Sequence, residues 1–307
     1  MFVSDVVAAL DCGSNSTRLL IANHDGAQRR EMRITRLSQG VDATSSLLPE
    51  AMERTFTVLR DYRDFMDAAS VRRGLLVATS AVRDAHNGDD FLDGAKAIVG
   101  VNATILEGAE EARLSYVGAT LDLDTDERPT MILDIGGGST EMAVELGGVL
   151  HSYSMQLGCV RVTERALGSG VVTSDRDLAA RQMISSELDR AFDAVPAFNR
   201  LVGNVRLVGL AGSVATLAQL DTGLKVYDRS KVHHHLMSRG VVDEWQRRLA
   251  GESPAERLRE TGMVPGREDV LTAGLYVLAA VMDRFETLEL LSSENDILDG
   301  ITRSLLT

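Results

Sequence analysis

Leu10-Asp-Cys-Gly-Ser-Asn-Ser-Thr-Arg18 returns later in the chain as Leu133-Asp-Ile-Gly-Gly-Gly-Ser-Thr-Glu141. One constant shift aligns Asp11 with Asp134, Gly13 with Gly136, Ser16 with Ser139 and Thr17 with Thr140. A repeat of this kind says that the chain builds one supersecondary unit twice. Each copy follows an apolar strand, at 6–10 and 131–133, and precedes a second one, at 19–23 and 142–146. Each then reaches a turn signal, Asp25-Gly26 or Gly147-Gly148. Each copy therefore reads as a β-hairpin with a Gly/Ser-rich tip and an aspartate ending its first strand.

The segments around the hairpins extend the parallel. After the first come a third strand near 31–37, a helix from Pro49, and strands at 75–79 and 103–106 that alternate with helices near 89–99 and 110–120. After the second come a strand at 152–156, helices near 160–167 and 175–194, and a strand at 205–209. Helices near 241–250, 255–260 and 268–285, a strand at 288–291 and a short helix from Asp296 close the chain. The acidic, aperiodic Asp122-Leu-Asp-Thr-Asp-Glu-Arg-Pro129 reads as the connection between two units. The expected architecture is α/β, with two similar lobes facing each other across a cleft. The first lobe takes 1–124, the second 125–295, and the C-terminal helix 296–307 is assigned to the first.

A chain of 307 residues is long enough for two cores, and with aromatics at 4% these rest on Leu, Val, Ile, Ala and Met. No apolar run approaches the roughly 20 residues of a membrane span, and the N-terminus lacks the pattern of a signal peptide. Cys12 and Cys159 are too few for a disulfide framework and suit a reducing cytoplasm. A net charge of −13 offers no general basic face to nucleic acid, so a polyanionic ligand would need a local cluster of arginines and backbone N–H groups.

Gly136-Gly-Gly-Ser-Thr140 is such a place, because glycine lets backbone N–H groups approach a phosphate and the hydroxyls add donors. Its counterpart Gly13-Ser-Asn-Ser-Thr17 makes two tips suited to one phosphate chain. Asp11 and Asp134 end strands beside these tips, where a carboxylate near phosphate calls for a cation between them, and Mg²⁺ fits. In Glu107-Gly-Ala-Glu-Glu-Ala-Arg113, spacing alone leaves both Glu110 and Glu111 open to helix capping or proton transfer. Arg83, in Ala78-Thr-Ser-Ala-Val-Arg83, reads equally as a phosphate ligand or a solvated surface charge. Gly209-Leu-Ala-Gly-Ser213 is a strand-to-helix turn, open to an anion at the helix start or to a purely structural role. His233-His-His235 is discounted as a metal site: on a strand, consecutive side chains alternate faces and cannot easily share one ion.

These motifs, with Gly158-Cys-Val-Arg161 and Pro265-Gly-Arg-Glu-Asp269, resemble over essentially the whole chain the exopolyphosphatase and guanosine pentaphosphate phosphohydrolase (Ppx/GppA) family. That family belongs to the actin-like, or ribonuclease H-like, fold class. The resemblance implies that Glu111 is the general base and that Asp134, with Asp11 or Glu141, holds Mg²⁺ or Mn²⁺. It implies a phosphate path along Ser14, Asn15, Ser16, Arg83, Gly136, Gly137, Gly138, Ser139, Thr140, Gly212 and Ser213. The expected reaction is Mg-assisted in-line attack of water on the terminal phosphate of inorganic polyphosphate. Guanosine pentaphosphate (pppGpp) is the alternative substrate, and a small-molecule kinase or a non-catalytic polyphosphate-binding module are rivals of other kinds. Longer members carry an extra helical C-terminal region and this chain stops after the core, which with the net charge leads to an expected preference for short chains. A homodimer would join two clefts into one longer channel.

Overall fold

Burial on both faces decides which strand is central. The computed structural model describes residues 5–307, so the first four residues of the expected 1–124 lobe lie outside it. β1 (Val7–Cys12) is buried at every position, as a strand covered on both sides must be. It pairs antiparallel with β2 (Ser16–Asn23) and parallel with β4 (Arg73–Ala78). β3 (Gly26–Ile34) lies outside β2, and β5 (Asn102–Ile105) outside β4, which gives the order β3-β2-β1-β4-β5. β3 is the exposed edge, and its Gln-Arg-Arg-Glu-Met-Arg run protects that edge with charge. The third strand starts earlier than expected, at Gly26, because the Asn23↔Gly26 pair turns the hairpin at once. It ends before Arg36, whose φ of 49° takes the chain out of the ladder.

Side chains alternate across this sheet. Ala8, Leu10 and Cys12 face a core shared with the helices Pro49–Ala68 and Gly88–Val99. Ala9, Leu20 and Val77 face the opposite core, with Leu106, Leu114 and the C-terminal helix Ile297–Leu306. Gly300 lets that last helix approach closely, because a β-carbon there would overlap the Leu114 carbonyl oxygen. Arg30 adds a two-oxygen ion pair to Asp299 at 2.6 and 2.7 Å.

The second sheet repeats the arrangement. β6 (Thr130–Ile135) is central, antiparallel to β7 (Thr140–Leu146) and parallel to β9 (Arg206–Leu210). β8 (Val149–Met155) and β11 (Glu289–Ser292) continue on either side, and a short β10 (Leu236–Ser238) is appended, for the order β10-β11-β9-β6-β7-β8. Each sheet therefore carries the 3-2-1-4-5 strand pattern of an actin-like lobe. Contacts divide the chain into one unit up to Gly118 plus Ile297–Thr307, and a second over Ala119–Asp296. The expected helix at 160–167 is one α-turn, Cys159–Val162, followed by a π-turn, Thr163–Leu167, which ends at Gly168 with φ 71°. In the same unit Arg257 is fully buried. Its guanidinium donates to the carbonyls of Leu249, Ser169, Glu268 and Gly170, so every arm of the buried charge ties down backbone. Among the described residues no helix is long and apolar enough to cross a membrane.

Candidate active site

In the first unit the hairpin tip closes through Gly13 N–H donating to the Ser16 carbonyl at 3.0 Å. Ser14 and Asn15 are buried at this tip. The Ser14 hydroxyl meets the Ser80 hydroxyl at 3.0 Å, which joins the tip to the turn that follows β4. Arg83 ends that turn and donates to the Leu106 carbonyl, just past β5. From there its guanidinium stands 3.6 Å from the Glu111 carboxylate. The unit thus gathers Ser14, Asn15, Ser80, Arg83 and Glu111 from three connections at the carboxyl ends of neighbouring strands, where open α/β sheets place their sites.

Geometry separates the two glutamates that spacing left level. Both lie in the first turn of the helix Gly108–Ala119, about 100° apart around its axis. Glu110 is half-buried, and Arg113 grips both of its oxygens at 2.7 Å, holding its carboxyl below the usual carboxylate range. Glu111 turns inward and is 8% exposed. A carboxylate held by an arginine on the solvent side is a poor proton acceptor, which counts against Glu110; Glu111 is buried at the helix start.

The second unit repeats the tip, with Gly136 N–H donating to the Ser139 carbonyl at 3.0 Å. Here the tip is fixed from outside as well. The N–H groups of Cys159 and Val160 each donate at 2.9 Å, to the carbonyls of Gly136 and Gly137. Gly158 permits this approach, since a β-carbon there would collide with the Gly137 backbone. Ser139 and Thr140 are buried, and the Thr140 hydroxyl finds no hydrogen-bond partner among the described residues. Gly212 and Ser213 open the helix Ala211–Asp221, and Ala211 is held at φ 64°. A β-carbon at Gly212 would strike the Arg267 guanidinium. Arg267 is a residue to which the sequence reading gave no role; its only signal was the Pro265-to-Asp269 motif. It is nearly buried, and it acts on the Cys159 thiol, whose pKa burial pushes up and Arg267 pulls down.

The two hairpins differ at one decisive pair. In the first, Asp11 stands directly across the ladder from Arg18, which donates to one carboxylate oxygen through Nε at 3.0 Å and a terminal nitrogen at 2.6 Å. In the second, Asp134 stands across from Glu141, and both are buried. Ser154 donates to Glu141 Oε1 at 2.7 Å. Like charges directly opposite on a ladder repel, and burial adds to the cost, so this pair suits a cation. Two carboxylates beside a phosphate-loop tip are an oxygen donor set of the kind Mg²⁺ or Mn²⁺ takes. Asp11 already faces a cation, the Arg18 guanidinium.

The histidine run is not on a strand. It follows a single helical turn, Arg229–Val232, with His234 at φ 59°. His233 and His234 stack at 3.8 Å and both point at Asp122, at 2.9 and 3.5 Å, while His235 meets Asp221 at 2.7 Å. The alternating-face argument is therefore corrected: two imidazoles do converge with a carboxylate. The chemistry still does not suit a metal. His233 Nδ1 accepts the Glu294 N–H at 3.0 Å, so the ring proton sits on Nε2 and is donated to Asp122. A metal-bound imidazole needs the reverse, a bare Nε2 and a donating Nδ1.

Residues 20–307 match the profile of the Ppx/GppA phosphatase family. Exopolyphosphatase 2 of Mycobacterium tuberculosis is 40% identical, over 97% of this chain and 98% of its own. The crystal structure of an exopolyphosphatase-like protein superposes with a TM-score of 0.92 at 33% identity, covering 98% of both chains. The Ppx/GppA family member of Aquifex aeolicus does so at 0.80 and 29% identity, covering 98% of this chain and 97% of that one.

Proposed function

The chain belongs to the Ppx/GppA phosphatase family, and on that premise we propose that it is an exopolyphosphatase that releases the terminal phosphate of inorganic polyphosphate. The observation that carries the reading is the separation of Glu110 from Glu111: one carboxylate is neutralised by Arg113 and the other is buried at the helix start near Arg83. Glu111 orients a water and takes its proton as the water attacks the terminal phosphorus in line with the leaving oxygen. Within the first unit the donors at Ser14, Asn15, Ser16 and Arg83 hold phosphate oxygens, and within the second the 136–140 tip with Gly212 and Ser213 offers donors of the same kind; donors so placed offset charge that grows during transfer. General-base help of this kind is worth about 10²–10⁴-fold, and positioning and electrostatics supply the rest.

Asp134 and Glu141 would hold Mg²⁺ or Mn²⁺, which when bound supplies positive charge to phosphate oxygens. Asp11 contributes through its pair with Arg18. Short chains are the preferred substrates, and the cytoplasm, where the free thiols Cys12 and Cys159 stay reduced, is the proposed place of action.

The test is phosphate release with Mg²⁺ from polyphosphates of defined length, pppGpp and ATP. Release from polyphosphate at the highest kcat/KM supports the reading. Release from pppGpp alone would replace it with a guanosine pentaphosphate phosphohydrolase, and transfer from ATP to an added acceptor would make the protein a kinase.

A further inference from the structure

Two buried donors without partners among the described residues lie on segments that the backbone ties together in the first unit. One is Asn15 Nδ2 at the hairpin tip, on a residue 5% exposed, and the other is Ser38 Oγ, on a residue 9% exposed. Ser38 N–H donates to the Ser14 carbonyl at 2.9 Å, and the N–H groups of Thr35 and Arg36 share the Asn15 carbonyl at 3.0 Å. Thr17 and Thr35 join their hydroxyls at 3.0 Å. From the helix Pro49–Ala68, Arg54 donates to the Thr35 carbonyl at 3.1 Å and to Gln39 Oε1 at 3.0 Å. The segment 35–39 is thus built onto the tip, and it keeps Arg36 in the left-handed region at φ 49°. Strained backbone fixed by this many bonds is a feature of binding sites.

We infer that Ser38 is a substrate-binding residue, which together with Asn15 receives an anionic phosphate oxygen. This rests on the proposed phosphohydrolase reading of the same tip. The chemical class follows from the donors. An amide NH₂ can only donate, a hydroxyl has a proton to give, and the stretch Thr35-Arg-Leu-Ser-Gln39 holds no carboxylate that would favour a cation. A buried hydroxyl left unsatisfied is costly, and an anionic oxygen repays it more fully than a neutral acceptor does.

The experiment is calorimetric titration of Glu111→Gln, in which the substrate stays intact, with inorganic tripolyphosphate. Ser38→Ala, Ser38→Thr and Ser38→Asp are made in that background, and melting midpoints are recorded with and without ligand. Ser38→Ala should weaken binding roughly 10-fold. Ser38→Asp should weaken it further by repulsion, and Ser38→Thr, which keeps the hydroxyl, should restore most of the affinity. Without ligand, Ser38→Ala should melt no lower than its parent, because it removes an unsatisfied buried group. A hydroxyl that served the fold would show the opposite, a lower midpoint and unchanged affinity, and that result overturns the inference. Phosphate release by the unmodified protein separates the two claims. Turnover of polyphosphate with unaltered Ser38→Ala affinity sinks Ser38 and leaves the function standing. Lost affinity in Ser38→Ala without any turnover of polyphosphate by the unmodified protein leaves the receptor standing and sinks the function. No tripolyphosphate binding at all overturns both.

Discussion

One residue of register separates Glu110 from Glu111, and the helix converts it into different chemistry. Glu111→Gln keeps the size and the helix start but removes the base, so turnover should fall by at least about 10²-fold while tripolyphosphate still binds. Glu110→Gln loses only an exposed ion pair and should change turnover by less than about 3-fold, since such pairs are worth little. Equal effects in a phosphate-release assay would refute the assignment. The Asp134–Glu141 pair makes a second prediction. Activity should vanish in EDTA and return with Mg²⁺, and Asp134→Asn should raise the Mg²⁺ needed for half-maximal rate. The rise in melting midpoint on adding Mg²⁺ should also shrink in that variant. Full activity after exhaustive chelation would count against a metal. His233 makes a third. Burial lowers its pKa, with His234 and Arg229 acting in the same direction and Asp122 against them. The folded state therefore binds this proton less readily than the unfolded chain, whose imidazole titrates near about 6.5. Stability contributed by neutral His233 is present above that value and is lost as pH falls toward the folded pKa. Chemical denaturation at pH 7.5 and 5 should show a smaller acid loss in His233→Gln than in the parent; an identical loss would remove His233 as a cause.

At the scale of elements, the C-terminal helix shows how a glycine positions a structure. Ile297, Leu298 and Ile301 bury their side chains against the β1–β2–β4 face, and Gly300 faces the Leu114 carbonyl. Leu114 belongs to the helix that carries Glu111, so the packing beneath the proposed base depends on this contact. Gly300→Ala gains about 1 kcal/mol of helix propensity. It must also force two backbones apart, and overpacking of that kind costs about 1–3 kcal/mol. The net expectation is a loss of up to about 2 kcal/mol in a urea unfolding experiment. A gain in stability would show that the helix can shift at no cost. The hairpin tips are the other such element. Both close with the same glycine-to-serine bond at 3.0 Å, so the repeat is one of backbone geometry as well as letters. Both tips are also held from outside: the N–H groups of Thr35, Arg36 and Ser38 reach the Asn15 and Ser14 carbonyls, and those of Cys159, Val160 and Arg161 reach the Gly136 and Gly137 carbonyls.

For the molecule as a whole the governing quantity is a net charge of −13. A polyanion must be drawn in by local donors against that field, and each further phosphate outside the donor set adds repulsion. We therefore expect kcat/KM to be greatest for short polyphosphates, with intermediate products released between turnovers. Salt should reduce the penalty on long chains by screening it. Gel-resolved products from a ladder of chain lengths test this. A kcat/KM that keeps climbing into polymeric phosphate, with no released intermediates, would sink it.

The amino-acid sequence by itself determined the two hairpins, their tips, the α/β class and the family, because each rests on local backbone chemistry or on a repeat that a linear reading can detect. Glycine, serine and aspartate at strand ends say where a turn and its donors will be. Element boundaries were legible to within a few residues, apart from the turns at 159–167 and the onset of β3. Only the tertiary structure decided which charge meets which. Asp11 and Asp134 match in the repeat, yet one is neutralised by Arg18 and the other faces Glu141. Glu110 and Glu111 are neighbours, yet one is taken by Arg113 and the other is buried. Arg267 comes to lie on Gly212, and Ser38 beside Ser14, through contacts between segments far apart in the chain. Coulomb energy and desolvation depend on distances between elements, and such distances are set by packing rather than by spacing along the chain.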